Sequence, residues 1–386
     1  MEGLDALPAG PYLLACNHLL QVENGATDPL HSDLVNIAAV LGVELSAMVA
    51  DEKARSQGLP ASGPNRAAAD ALLDTERLHH LWQRPVRVDG AVLDQLAVLI
   101  RWHWQSYHTT DPTLLLPVVA TQVAQLRPLA EESMPPGLAR RLRSLTADAA
   151  ALAGWLALRQ ESRTTPSIYW ALAESLAADA DDHALRSFSL VSRSSLYSST
   201  LRGGVGGDDA LALAYVEAGA AAAPEMAPVQ LAWVLARRAE EHAIGGDARA
   251  AQRDLDDAAS YLGRVQGRPT GYFAAWNRSQ LDGYRGSCAM ALGSRDAVTI
   301  LEGSLTSTDA SLVSQRTSIL ANLGAAHARL GQVDAACGAL AEAVVIARRA
   351  NLAVTIRRVR GVRARLDPWS GAASVRSLDE LIAIPS

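Results

Sequence analysis

The sequence predicts an all-α chain, a superhelix of stacked helical hairpins behind a small N-terminal helical unit. Three observations predict it. The composition is rich in Ala, Leu and Val but poor in rings, at 49 % hydrophobic and 5 % aromatic with two Phe in 386 residues, which suits closely packed helices better than sheets. Apolar residues recur at helical spacing from residue 71 onward. The stretch 316–350, RTSILANLGAAHARLGQVDAACGALAEAVVIARRA, reads as two antiparallel helices with small residues where their backbones touch.

Spacing within that stretch carries the reading. Leu320, Leu323, Gly324 and His327 share one face of the first helix, and Ala336, Leu340 and Ala343 share one face of the second. Gly331 supplies the left-handed residue that closes the first helix. Asp334 lies near the next helix start, where a carboxylate meets the positive dipole end. This arrangement resembles the tetratricopeptide (TPR) pattern, with His327 where that family has Tyr and without its terminal Pro. Residues 231–262 repeat the offsets with Leu235, Ala239, His242, Ala251, Leu255 and Ala258; residues 278–306 repeat them loosely with Leu281, Cys288, Ala297 and Leu301. The intervals exceed the roughly 34 residues of the family unit, so turns between repeats carry insertions such as 263–276. Each hairpin leaves an apolar edge that the next must cover, and the expected superhelix has a concave wall lined by the first helix of each pair.

Taken in order, residues 1–50 form a separate unit. Leu34, Ile37, Ala38 and Leu41 make a helical stripe closed by Gly42. Glu23, Gly25, Ala38, Leu41, Gly42 and Val43 resemble the back half of the helix-turn-helix head of XRE (Cro/repressor-like) regulators. Only one helix, roughly 12–21, fits before Glu23, where that family has three. The first 50 residues hold no Lys and no Arg, but do hold Glu2, Asp5, Glu23, Asp28, Asp33 and Glu44. DNA affinity comes largely from cations that neutralise phosphates, so this degenerate head is expected to have lost DNA binding and to pack or dimerise. Asn17, His18 and Gln21 are the positions that would face a DNA groove, and Asn or Gln can pair with adenine.

Residues 51–70 are a polar linker containing Pro, Gly and Ser, and 71–386 the repeat domain. Helices are expected at 72–82 and 93–107. Asp111 and Pro112 then cap and start another, running to about residue 132 with Pro117 bending it. Further helices span 138–159, 167–180 and 183–201. Gly203, Gly204, Gly206 and Gly207 form a loop that lacks the Lys-Ser/Thr ending of a phosphate cradle. Asp208 and Asp209 cap the next helix. The tail is an Arg-rich helix, a Pro-Trp turn and a capping helix.

The net charge of −6 and the single lysine, Lys53, advertise no nucleic-acid partner. Cys16, Cys288 and Cys337 lie far apart without zinc spacing, which fits a reducing cytoplasm. No signal peptide and no membrane span are expected. His79 with His80, and His103 with His108, lack the spacing of a helical metal pair, and His242 is expected in the core. No metal or cofactor is expected. The serines at 192–199 have no visible His or Asp partners for nucleophilic chemistry.

The groove is therefore the candidate site. Trp233, Arg237 and Glu240 are expected to face it from one repeat, Trp276, Asn277 and Asp282 from the next, and Ser318, Ala321, Asn322 and Ala325 from the last. In TPR-like receptors an Asn at the position of Asn322 can hold a peptide backbone, because its amide both donates and accepts. The expected function is a regulator-like protein binding a peptide, small molecule or protein partner in the groove, with homodimers permitted. Two alternatives stand beside it: a working ligand-responsive transcription regulator of the long TPR-bearing XRE type of actinomycetes, and a regulator scaffold recruited as an enzyme of natural-product biosynthesis.

Overall fold

The computed structural model describes residues 88–160, 164–199, 207–222 and 226–384. The expected head (1–50), the linker (51–70), the helix at 72–82, His79, His80 and the DNA-facing candidates Asn17, His18 and Gln21 lie outside the described residues. So does Gly203–Gly206 of the glycine loop.

Fourteen α-helices and no strands occupy the described residues. They are α1 Gly90–Tyr107, α2 Pro112–Glu131, α3 Pro136–Arg159, α4 Thr164–Asp179, α5 His183–Ser194, α6 Asp209–Ala222, α7 Pro228–Ile244 and α8 Ala248–Leu262. A short 3-10 turn at Gly271–Ala275 follows, then α9 Arg278–Ala291, α10 Ala297–Ser307, α11 Val313–Arg329, α12 Val333–Arg349, α13 Ala353–Arg363 and α14 Ala373–Ala383. None is long and apolar enough to cross a membrane.

Local chemistry sets the boundaries. Asp89, Asp111, Asp182, Asp247 and Asn277 each accept a hydrogen bond from a backbone N–H in the first turn that follows, satisfying donors the helix leaves unpaired. Gly331 ends α11 at φ +71°, where a side chain would strain the backbone. α5 stops at Ser194, short of the expected 201. Its serines bond back to carbonyls (Ser189 to Leu185 O at 2.9 Å, Ser194 to Val191 O at 2.7 Å) and the chain turns at Ser195–Tyr197.

Consecutive helices pair as hairpins: α3 with α4, α5 with α6, α7 with α8, α9 with α10, α11 with α12. Glycine marks the crossings. A Cβ on Gly324 would lie 2.6 Å from the Leu340 side chain, and one on Gly154 only 2.3 Å from the Trp170 indole nitrogen. The first helices α5, α7, α9, α11 and α13 stack on one another as the inner layer, and α14 caps the end by packing on α12.

The array curls until its ends meet. α13 touches α3, and the Asn351 amide donates to the Asp111 carboxylate across 240 positions of sequence. The insertion at 263–276 runs inward. Its Tyr272 stacks on Trp155 (centroids 5.3 Å apart) and meets Trp104, Phe188 and Trp233 edge-on. This aromatic plug fills the N-terminal part of the concavity, and the hollow that is left lies beside it.

Candidate functional site

A cavity of about 230 Å³ lies at the centre of the curl. It is built one or two residues at a time from successive inner helices. The end of α1 gives Tyr107 and His108, α3 gives Trp155 and Arg159, and α7 gives Arg237 and Glu240. The insertion gives Tyr272 and Trp276, α9 gives Tyr284 and Ser287, α11 gives Ser318 and Asn322, and α13 gives Thr355 and Arg358.

Arg237 is the anchored cation of the site. It is buried between two glutamates of its own helix, donating to Glu240, to Glu241 at 2.9 Å and to Ser194 at 3.0 Å. Burial works against its charge, but the two carboxylates outweigh burial and hold its proton more firmly than usual. Glu240 also accepts from Ser287 Oγ at 2.5 Å. Glu241, one residue deeper, is pushed up to about 7 by burial, with Arg237 opposing the rise. Tyr272 and Tyr284 are raised by burial and stay neutral phenols.

The two other cations at the cavity are held differently. Arg159 is buried, its guanidinium 3.7 Å above the Tyr107 ring, and it donates to the Tyr107 carbonyl. Its Nε and Nη2 have no hydrogen-bond partner among the described residues. Arg358 is equally buried and donates to Asn322 Oδ1. Burial brings it down to about 10, Glu240 opposing the fall and Arg237 adding to it. Neither forms an ion pair among the described residues. His108 is held at about 4 by burial and then by the charge of Arg159, so at neutral pH it is an uncharged ring; its Nε2 lacks a partner too.

Five of the eight groove candidates, Arg237, Glu240, Trp276, Ser318 and Asn322, stand at this cavity. The other three do not. Trp233 is fully buried because Phe188 and the Tyr272–Phe273 plug cover the face it would have shown. Asn277 is exposed and spends its side chain as the N-cap of α9. Asp282 pairs with Arg278 and Arg285 at the surface, away from the hollow. Ala321 and Ala325 line a neighbouring hollow. His242 is not a core residue: it is partly exposed, 3.7 Å from Asp254. His103 is buried and bonds Gln122 at 3.1 Å. Among the described residues no group of three or more His, Cys, Asp or Glu side chains is placed to hold a metal ion.

Sequence reasoning passed over Tyr107, His108, Arg159, Tyr272 and Arg358. No local signal marked them, because they come from elements far apart in the chain. No known family model and no curated protein matches the chain. Fold and cavity together define its class: an all-α superhelix of helical hairpins curled around an arginine-lined hollow.

Proposed function

We propose that this protein is a receptor for a small organic acid, bound at the centre of the superhelix with its anionic group drawn to Arg159 and Arg358. The observation that carries the reading is the pair of buried guanidiniums at one cavity, neither hydrogen-bonded to nor ion-paired with a carboxylate among the described residues. A buried charge without a partner is costly, and a planar guanidinium with free donors fits a carboxylate better than any other common ligand group. At about 30 Å³ per water, the hollow has room for about eight waters. That scale suits a metabolite or the end of a peptide, not a folded partner. Trp155, Trp276, Tyr272 and Tyr284 offer flat apolar surface for the ligand's body.

Glu240 is committed to Arg237 and Ser287, and the phenols stay protonated, so the groups at the cavity favour holding a ligand over transforming it. The acidic head favours signalling without DNA, in keeping with a regulator-like protein that has lost its operator.

A panel of small carboxylic acids, each paired with its neutral amide, tests the reading through Trp fluorescence and thermal shift. At least one acid should bind with its amide weaker by about ten- to a hundredfold, the value of a charge-assisted hydrogen bond. Equal binding of acid and amide, or undiminished binding by Arg159→Met, contradicts it.

A further inference from the structure

A second cavity, of about 170 Å³, adjoins the first on the inner face of α11 and α13. Asn322 and Arg358 line both. Its other polar lining among the described residues comes from Arg329, Arg365 and Ser199, and none of them is an Asp or Glu. Arg329 donates to the Ala291 carbonyl at 3.4 Å. Arg365 has neither a hydrogen bond nor an ion pair among the described residues. Three guanidiniums thus share one small hollow, Arg358 buried and Arg365 half-buried. Arg365 holds its proton less firmly than an ordinary arginine, through burial first and then through the charge of Arg329.

The fold sets a buried, a half-buried and an exposed arginine around one space, so a multivalent anion gains from all three at once. The amide of Asn322 adds direction. A guanidinium cannot accept a hydrogen bond, so the Asn322 atom facing Arg358 must be its oxygen, which leaves the Nδ2 donors for another group. A carboxylate has two oxygens and one charge, and one or two arginines saturate it. A terminal phosphate presents three oxygens and up to two charges, and matches three guanidiniums with an amide.

We propose that this second cavity is a phosphoryl subsite and that the ligand is a phosphorylated small organic acid. Its phosphate lies among Arg329, Arg358 and Arg365, and its carboxylate reaches Arg159 through the space they share. The inference extends the small-acid reading above, but it can be tested without it.

The test is calorimetric titration of the full-length protein with inorganic phosphate and with phenyl phosphate. Wild type should bind both saturably. Arg365→Gln should weaken both about ten- to a hundredfold, Arg365→Lys should recover part of the loss by restoring charge without the fork, and Arg127→Gln, an exposed arginine that lines neither cavity, should leave inorganic phosphate unchanged. Arg329→Gln gives a second variant at an exposed position where loss of fold is not a concern. No saturable phosphate binding by wild type overturns the subsite, as does equal binding by wild type and both glutamine variants. A short oligonucleotide that outcompetes phenyl phosphate also overturns it, because the source would then be a nucleic-acid backbone. Arginine-dependent phosphate binding without any carboxylic-acid ligand would uphold the subsite and sink the small-acid reading alone.

Discussion

Replacing Arg237 with Met should destabilise the protein more than any other single change at the site. The side chains of Arg237 and Glu240 are each 6 % exposed and that of Glu241 is 0 % exposed, so water screens none of the three. Arg237 donates to both carboxylates, and Met has a similar length but no donors. The variant therefore strands the buried Glu240 carboxylate, with Ser287 still donating to it, beside a Glu241 that has lost the cation opposing its rise. Breaking a buried pair from one side costs about 3–5 kcal/mol. Replacing all three charges, in Arg237→Met with Glu240→Gln and Glu241→Gln, leaves nothing unpaired and should cost much less. Urea unfolding followed by helix signal and Trp fluorescence reads the difference as a shift in midpoint at constant slope. If the single variant unfolds within about 0.5 kcal/mol of wild type at pH 7, the scale of ordinary surface changes, or if the triple variant is no better than the single, the triad does not carry the weight given to it.

Three further expectations follow from the same structure. Glu241 sits at about 7 against an ordinary 4.5, so the folded state keeps a proton the unfolded chain releases. Its contribution to stability is therefore greatest below pH 4.5 and erodes as pH rises to 7, by about 3 kcal/mol in all. Glu241→Gln should flatten the pH profile of the urea midpoint across that window, and parallel profiles would refute the shift. Gly154→Ala drives a methyl into the buried Trp170 ring and should cost about 1–3 kcal/mol. Gly338→Ala at an exposed position of α12 meets nothing within 4 Å and should gain roughly 0.5–1 kcal/mol; a melt of each decides, and equal shifts would refute the close crossing. Tyr272→Ala removes the centre of the aromatic plug and should cost about 3–5 kcal/mol on the scale of large aromatic truncations, with raised amide exchange in 263–276; unchanged exchange there would contradict the packing.

The architecture was readable because it rests on local signals. Asp111 before Pro112 marks a helix start wherever it occurs, and Gly331 a helix end. The Gly324 and Leu340 contact is implied by spacing within one hairpin. The site rests on other information. Its members come from inner helices that lie far apart in the chain, and nothing local distinguishes Arg159 or Arg358 from arginines on solvated faces. The closure between Asn351 and Asp111 depends on the curvature summed over every hairpin. Trp233 was misplaced for a related reason. Its face would open to the groove if the insertion did not fold inward, and whether an insertion such as 263–276 loops out or packs in depends on rings as distant as Trp104. Analogy of offset predicts His242 in the core, but a polar ring at that offset turns towards Asp254 and water instead.

The account stands or falls on where an acid sits. An experimental structure of the protein with the tightest-binding member of the acid panel tests this most directly. The account predicts an anionic group between Arg159 and Arg358, with the ligand's body against Trp155 and Tyr284. An acid on the outer helices α4, α6 or α8, with the Arg159 donors still unliganded, would contradict it.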